Sequence, residues 1–391
     1  MCAEESDHPE GDVTGDGDRY AWFQTMRQTS PVNYEAEYDA WHVFRYADVQ
    51  HVLQDHATFS SDMSSRMGAD PSGLIQSSII NLDPPRHRLL RSLVTKAFTP
   101  KAVAAMAPRI QMLTDQLLDA VVDSGRMDVI GDLAYPLPVI VIAEMLGIPA
   151  EDRDRFKYWS DVIVGSESHG QQIADLRNEM GEYFLRVVEQ RRRDPGSDLI
   201  SGLLAADVDG EKLSLRELLG FCVLLLVAGN ETTTNLIGNA VYCFTEQADT
   251  LPRLIQTPSL LPGAIEEVLR YRSPVQVLPH RVAGVDTTLS GQRIRAGQQV
   301  MIWLGSANRD EAVFPDADRF IVDRAPNPHI AFGTGIHFCL GSTLARLEAR
   351  TALTSLLTRC RDIDVDHSGV EWIRGGIVYG SKRLPIEFRP Q

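Results

Sequence analysis

Within HIAFGTGIHFCLGSTLAR (329–346), Gly333, Gly335 and Gly341 surround a single cysteine, Cys339, and a helical pattern starts directly behind it. A sulfur at a helix N-terminus sits at the positive end of the helix dipole, beneath unpaired backbone N–H groups. Both favour thiolate over thiol, and glycines let amides come close to the sulfur. Three chemistries compete for a sulfur held this way, beside a purely structural turn. A nucleophile needs a positioned base, and His337 stands two residues away. A redox switch needs a second cysteine, and none is near in sequence. A metal ligand needs only this thiolate and a cofactor. The other four cysteines, at 2, 222, 243 and 360, form no Cys-x-x-Cys. An odd total with wide spacings argues against zinc or a disulfide framework and fits a reducing compartment. Cys222, Cys243 and Cys360 lie in helical stretches and read as small buried hydrophobes.

A second segment with chemical content is SLRELLGFCVLLLVAGNETTTNLIGNAVYCFTEQ (214–247). Ser214 and Glu217 form a capping box, and the apolar run behind them predicts a helix crossing the core. Its centre, Ala228-Gly229-Asn230-Glu231-Thr232-Thr233-Thr234, is poor helix sequence. An acid and hydroxyls buried there cost several kcal/mol unless satisfied. Bonds from the threonines back to i−4 carbonyls account for the hydroxyls. They do not account for Glu231.

The elements that must position these segments read as mainly α with small β-sheets. A β-like patch covers 31–46, and helical patterns follow from 84 to 205. The long helix spans roughly 214–245, and a shorter one ends near Tyr271. Strand-like pieces (275–303), a Pro-rich irregular segment (312–328), a helix over 341–360 and a hairpin-like end (375–388) complete the chain. Residues 1–18 are acidic and Gly-rich and predict a disordered tail, with one large domain over 19–391. The composition, 43% hydrophobic and 23% charged over 391 residues, is that of a globular protein. The net charge of −15 argues against nucleic acid or an anionic membrane as partner. The longest apolar runs fall short of the ~20 residues that span a bilayer. A cytoplasmic monomer is expected.

Phe332-Gly333-Thr334-Gly335-Ile336-His337-Phe338-Cys339-Leu340-Gly341 resembles the haem-binding loop of the cytochrome P-450 family, and Ala228–Thr234 resembles that family's oxygen-binding motif. The resemblance covers nearly the whole chain after the tail. It implies a single cytochrome P-450-type helical domain with a minor β-rich region, holding haem b (iron protoporphyrin IX). Cys339 would be the axial thiolate, whose push on iron favours O–O cleavage, tuned by surrounding amides. Phe332 would pack against the haem. Ala228 and Gly229 would leave room for dioxygen, Thr232 would hydrogen-bond it, and Glu231 would relay protons. Glu267 and Arg270, alone an ordinary i,i+3 surface pair, would join Arg324 in a buried structural network. Asp83-Pro84-Pro85 would start a helix with Asp83 as cap. His87 and Arg91 on one face of that helix, with Arg281 and His337, would hold the haem propionates.

The same resemblance implies a monooxygenase that puts one atom of O2 into a C–H bond of an apolar small molecule, such as a terpenoid, steroid, fatty acid or macrolide. Electrons would come from NAD(P)H through a reductase and a ferredoxin. The basic stretch 86–101, with five Lys/Arg and no acid, would steer that partner through Arg88, Lys96 and nearby cations. Variable segments 60–82, 160–178, 275–278 and 376–379 would line the substrate pocket, as would Leu224 and Val227. Ile79, Ile80, Val275, Val277, Leu278, Ile377 and Val378 make that lining aliphatic, with Gln276 and His280 as possible polar anchors. A non-catalytic haem protein that senses or sequesters a ligand is the main alternative. A hydrolase using Cys339 and His337 is a third.

Overall fold

The computed structural model describes the chain apart from residues 1–15, 65–76, 153–154, 157, 160–169, 209, 280, 374 and 376. Most of the expected tail, parts of three pocket segments and His280 thus lie outside the described residues. Helix α1 (Asp16–Thr29) begins inside the stretch read as tail. Its Arg27 is buried and donates to the backbone and hydroxyl oxygens of Ser306, which ties the helix to the body.

The early β-like patch forms a hairpin of β1 (Val32–Glu35) and β2 (Ala40–Val43), with Val32 opposite Val43. β2 runs parallel to β8 (Gln299–Ile302). β5 (Val282–Ala283) and β3 (Phe59–Ser60) extend the sheet to the order β1-β2-β8-β5-β3. Helix α2 (Tyr46–Gln54) follows β2.

The helical stretch resolves into α3 (Arg86–Thr95), α4 (Pro100–Asp119), α5 (Pro136–Met145), α6 (Gly170–Arg193) and α7 (Leu199–Ala205). Thr99 caps α4 by accepting the Ala102 N–H, with Pro100 at the first helical position. Two pieces depart from the helical expectation. β4 (Arg126–Asp128) is a strand, and Val129–Ala134 is a π-helical turn. β4 exists because Met127 pairs with Ile386 of β12 (Pro385–Pro390), a partner far away in the chain. β12 also pairs with β9 (Cys360–Val365), whereas β11 (Ser381–Arg383) pairs with β10 (Glu371–Trp372). The C-terminal segment therefore serves two sheets, and the hairpin it forms is β10 with β11, displaced from the expected 375–388, with β12 paired elsewhere.

Helix α8 (Leu215–Glu246) crosses the middle of the molecule, and both bonds of the Ser214/Glu217 capping box are present. It packs on α5, α6, α10 (Leu261–Tyr271) and α12 (Ser342–Arg359). A Cβ on Gly229 would lie 2.5 Å from Cδ1 of Ile142, so this glycine lets α5 close onto α8. Gly229 was expected to make room for dioxygen, but its missing side chain is accounted for by helix packing.

Candidate active site

The cysteine loop is held from below by α2. Gly335 has φ +72, and a Cβ there would stand 2.6 Å from the Leu53 carbonyl oxygen, so only glycine fits without displacing α2. The Cys339 N–H donates to the Phe332 carbonyl at 2.9 Å, and α12 begins three residues later. Burial pushes the Cys339 thiol up. The Gly341 and Ser342 amides and the Arg91 and Arg346 guanidiniums pull it down without prevailing. The donors expected from the sequence are thus present but do not by themselves make the sulfur anionic. A cation bound to sulfur is what would do so. Among the described residues no group of three His, Cys, Asp or Glu side chains gathers to hold a metal, so Cys339 would be a lone protein ligand.

Four nitrogen-bearing side chains gather beside the loop. The rings of His87 and His337 lie 4.3 Å apart. His337 Nε2 is 2.9 Å from Ser61 Oγ. Burial, with Arg281, His87 and Arg91 adding to it, lowers His337 to about 3. A base so weak and turned towards Ser61 is unsuited to activating Cys339, which removes the support for a cysteine hydrolase. His87 is lowered to about 4, mainly by burial, and its Nε2 is buried with no hydrogen-bond partner. Arg281 is pulled down to about 10 by burial, with Asp83 opposing. Arg91 donates to the Phe338 carbonyl at 2.6 Å.

Asp83 was expected to cap α3. Its carboxylate instead accepts from Ser60 Oγ and the Ser61 N–H, and only its carbonyl meets the helix, through the His87 N–H. Ser60 and Ser61 lie at the edge of the five-stranded sheet, so sequence spacing gave no sign of this pairing.

The middle of α8 has an open face. Leu224, Val227, Ala228, Glu231 and Thr232, spaced i, i+3, i+4, i+7, i+8, stay partly or fully exposed, while Leu226, Asn230 and Thr233–Val241 are buried. The three threonines bond back as expected. Thr232 Oγ1 donates to the Ala228 carbonyl at 2.8 Å, Thr233 to Gly229 at 3.2 Å and Thr234 to Asn230 at 3.0 Å. Glu231 Oε1 is buried without a partner, and burial raises this carboxyl to about 7. It can therefore exchange a proton near neutrality.

Glu267 and Arg270 are fully buried and meet through two bonds of 2.8 Å. Arg324 Nε reaches both Glu267 oxygens at 3.1 Å, and the Ile321 N–H and Asn327 Nδ2 also donate to Glu267. The expected three-member network is present and larger than expected.

The family profile described as Cytochrome P450 matches residues 141–373. Cytochrome P450 109 of Bacillus spizizenii is 45% identical over 93% of the chain and 90% of its own length. The chain belongs to the cytochrome P450 family. The erythromycin C-12 hydroxylase of Saccharopolyspora erythraea is 41% identical, covering 93% of each chain. A crystal structure of CYP109E1 from Bacillus megaterium in complex with testosterone matches with a TM-score of 0.88 at 44% identity, over 95% of this chain and 97% of that one. The protein is a P450 monooxygenase with the mainly α P450 fold.

The P450 family implies a haem-thiolate cofactor, and the residues present fit one. A single sulfur lies beside two neutral histidines and two arginines, and the buried Nε2 of His87 lacks a partner, as a site for an anionic group requires. The pocket residues inferred from sequence divide. Val275 and Val378, paired across a β-bridge, are half-buried, as are Leu278 and Ile80, and Ile377 is exposed. Ile79 is buried in the large core. Val277 packs with Phe23, Phe44 and Trp303, away from any opening. Gln276 is fully buried, its Nε2 donates to the Ser273 carbonyl at 2.6 Å, and its Oε1 has no partner among the described residues.

Of the basic stretch, Arg86 is held by Glu217 at 2.6 Å through two bonds and Arg91 points to the loop, while Arg88, Lys96 and Lys101 are exposed. Among the described residues no helix is long and apolar enough to cross a membrane.

Proposed function

We propose that this P450 uses haem b to hydroxylate an apolar small molecule at a C–H bond. Cys339 would hold the iron, and His87, Arg91, Arg281 and His337 would hold the propionates, with Phe332 packed beside the sulfur. When bound, the haem supplies dioxygen activation and oxygen transfer, which a thiolate ligand favours. Thr232 would turn its hydroxyl from the Ala228 carbonyl to hydrogen-bond dioxygen, and Glu231 would take up protons and pass them on. Leu224, Val227, Ala228, Val275, Leu278, Ile377 and Val378 exclude water from an apolar substrate. The steroid and macrolide named for the two relatives are of that class.

Electrons reach residues 19–391, a single cytoplasmic domain, from NAD(P)H through a reductase and an acidic ferredoxin that meets Arg88, Lys96 and Lys101. The observation that carries this reading is Glu231, a carboxyl that titrates near neutrality, beside Thr232 on the open face of a packed helix. A ligand sensor has no use for that pair.

The test is a reduced, carbon-monoxide-bound spectrum together with NADPH consumption, using a surrogate reductase and ferredoxin and steroid or macrolide substrates. A thiolate-type Soret band lost in Cys339→Ser, with hydroxylated product, is expected. A haem protein that binds ligands yet never turns over would establish the sensor instead.

A further inference from the structure

On the outer side of the cysteine loop, Arg346 of α12 donates through Nε and Nη2 to both carboxylate oxygens of Glu266 in α10, at 2.7 Å each. Glu266 also meets His329 Nε2 at 2.9 Å, in the segment leading into the loop. The guanidinium carbon of Arg346 lies 4.4 Å from the centre of the Phe332 ring. Phe332 is the residue whose carbonyl accepts the Cys339 N–H. Arg346 therefore rests on the ring of the residue whose carbonyl holds the Cys339 backbone, which places a fixed positive charge beside the loop that presents the sulfur. Glu266, well below the usual carboxylate range at about 2 although burial alone would raise it, is ionised and offsets part of that charge. The Arg346 and Glu266 side chains are 36% and 31% exposed. A pair that open contributes only about 0–1 kcal/mol to stability, so stability alone does not explain three elements converging on it.

We propose that Arg346, clamped by Glu266, which His329 holds in turn, is a positioning residue that sets how strongly the Cys339 sulfur donates to haem iron, and with it the reduction potential. The inference rests on the haem-thiolate reading. A positive charge near the sulfur stabilises its negative charge, weakens its donation and favours ferrous over ferric iron. Glu266 moderates that charge. The two side chains must then act in opposite directions, which a merely structural pair would not do.

The experiment is a spectroelectrochemical titration of the haem-loaded protein, with dithionite as reductant, for the parent, Arg346→Gln, Arg346→Lys and Glu266→Gln. The C–O stretching frequency of each reduced carbonyl complex is recorded alongside. Arg346→Gln is expected to lower the potential and the C–O frequency, and Glu266→Gln to raise both. Each variant should change the ferric–ferrous equilibrium several-fold, where tenfold is 59 mV for a one-electron couple. Arg346→Lys, which keeps the charge, stays near the parent. Shifts of the same sign in Arg346→Gln and Glu266→Gln, or none in either, overturn the inference. If Arg346→Gln fails to take up haem, the Glu266→Gln shift decides alone. A parent without a thiolate-type carbonyl band overturns the haem-thiolate reading and this inference together. That band with unmoved potentials overturns this inference only.

Discussion

The guanidinium of Arg91 donates to the backbone carbonyl of Phe338 at 2.6 Å, joining α3 to the residue before Cys339. A hydrogen bond from a charged donor contributes about 1.5–3 kcal/mol. Arg91→Met is therefore expected to release haem at least tenfold faster, read as transfer to apomyoglobin. An unchanged release rate would remove Arg91 from the cofactor site.

Glu267 accepts from two guanidiniums, a backbone N–H and an amide. Glu267→Ala leaves Arg270 buried and uncompensated, a loss of about 3–5 kcal/mol. Asn327→Ala removes one bond of 3.2 Å and is expected to cost about 1 kcal/mol. Urea unfolding should rank the two in that order, and equal midpoints would count against the network as a keystone.

Glu348, in α12, is buried, and its Oε2 has no partner among the described residues. Burial raises this carboxyl from 4.5 to about 8. The folded state thus binds the proton more tightly than the unfolded chain. The associated stability is fully present below about pH 4.5 and is lost as pH rises through about 8. Glu348→Gln, neutral throughout, should lack this decline. Between pH 6 and pH 8 it should gain on the parent by roughly 1.4 kcal/mol for each pH unit. Parallel melting curves for the two proteins across that range would contradict the assignment.

Thr232→Ala is expected to keep consuming oxygen while releasing hydrogen peroxide in place of product. The readout is peroxide formed per NADPH oxidised. Glu231→Gln should slow product formation roughly a hundredfold. It should also abolish the fall in rate expected of the parent above about pH 7 as its acid form is depleted. Tight coupling in Thr232→Ala would remove that residue from oxygen handling.

The cysteine loop, the capping box and the Glu267–Arg270 pair were legible in the sequence because their parts lie within a few residues of one another. β4 was not, because Met127 becomes strand only when Ile386 arrives beside it. Asp83 stands where a cap belongs, yet its carboxylate is taken by Ser60 and Ser61. Gln276 looks like a polar pocket residue among valines, but its side chain is buried against the turn at Ser273. The Arg346–Glu266–His329 cluster draws on three segments, and its one local trace is the acid immediately before Glu267. Apart from Gln276, which bonds only three residues back to Ser273, each miss is a side chain whose partner comes from another part of the chain.

The central helix, 32 residues long, extends about 48 Å at 1.5 Å per residue. Thr233 to Val241 are enclosed at every position, so the openings lie towards its middle. Packed on α5, α6, α10 and α12, it forms one jaw of the opening. Differences in guest girth must be met by aliphatic residues outside it. Engineering that aims to move the oxidised carbon should begin at Val275, Leu278, Ile377 and Val378 and leave the jaw untouched.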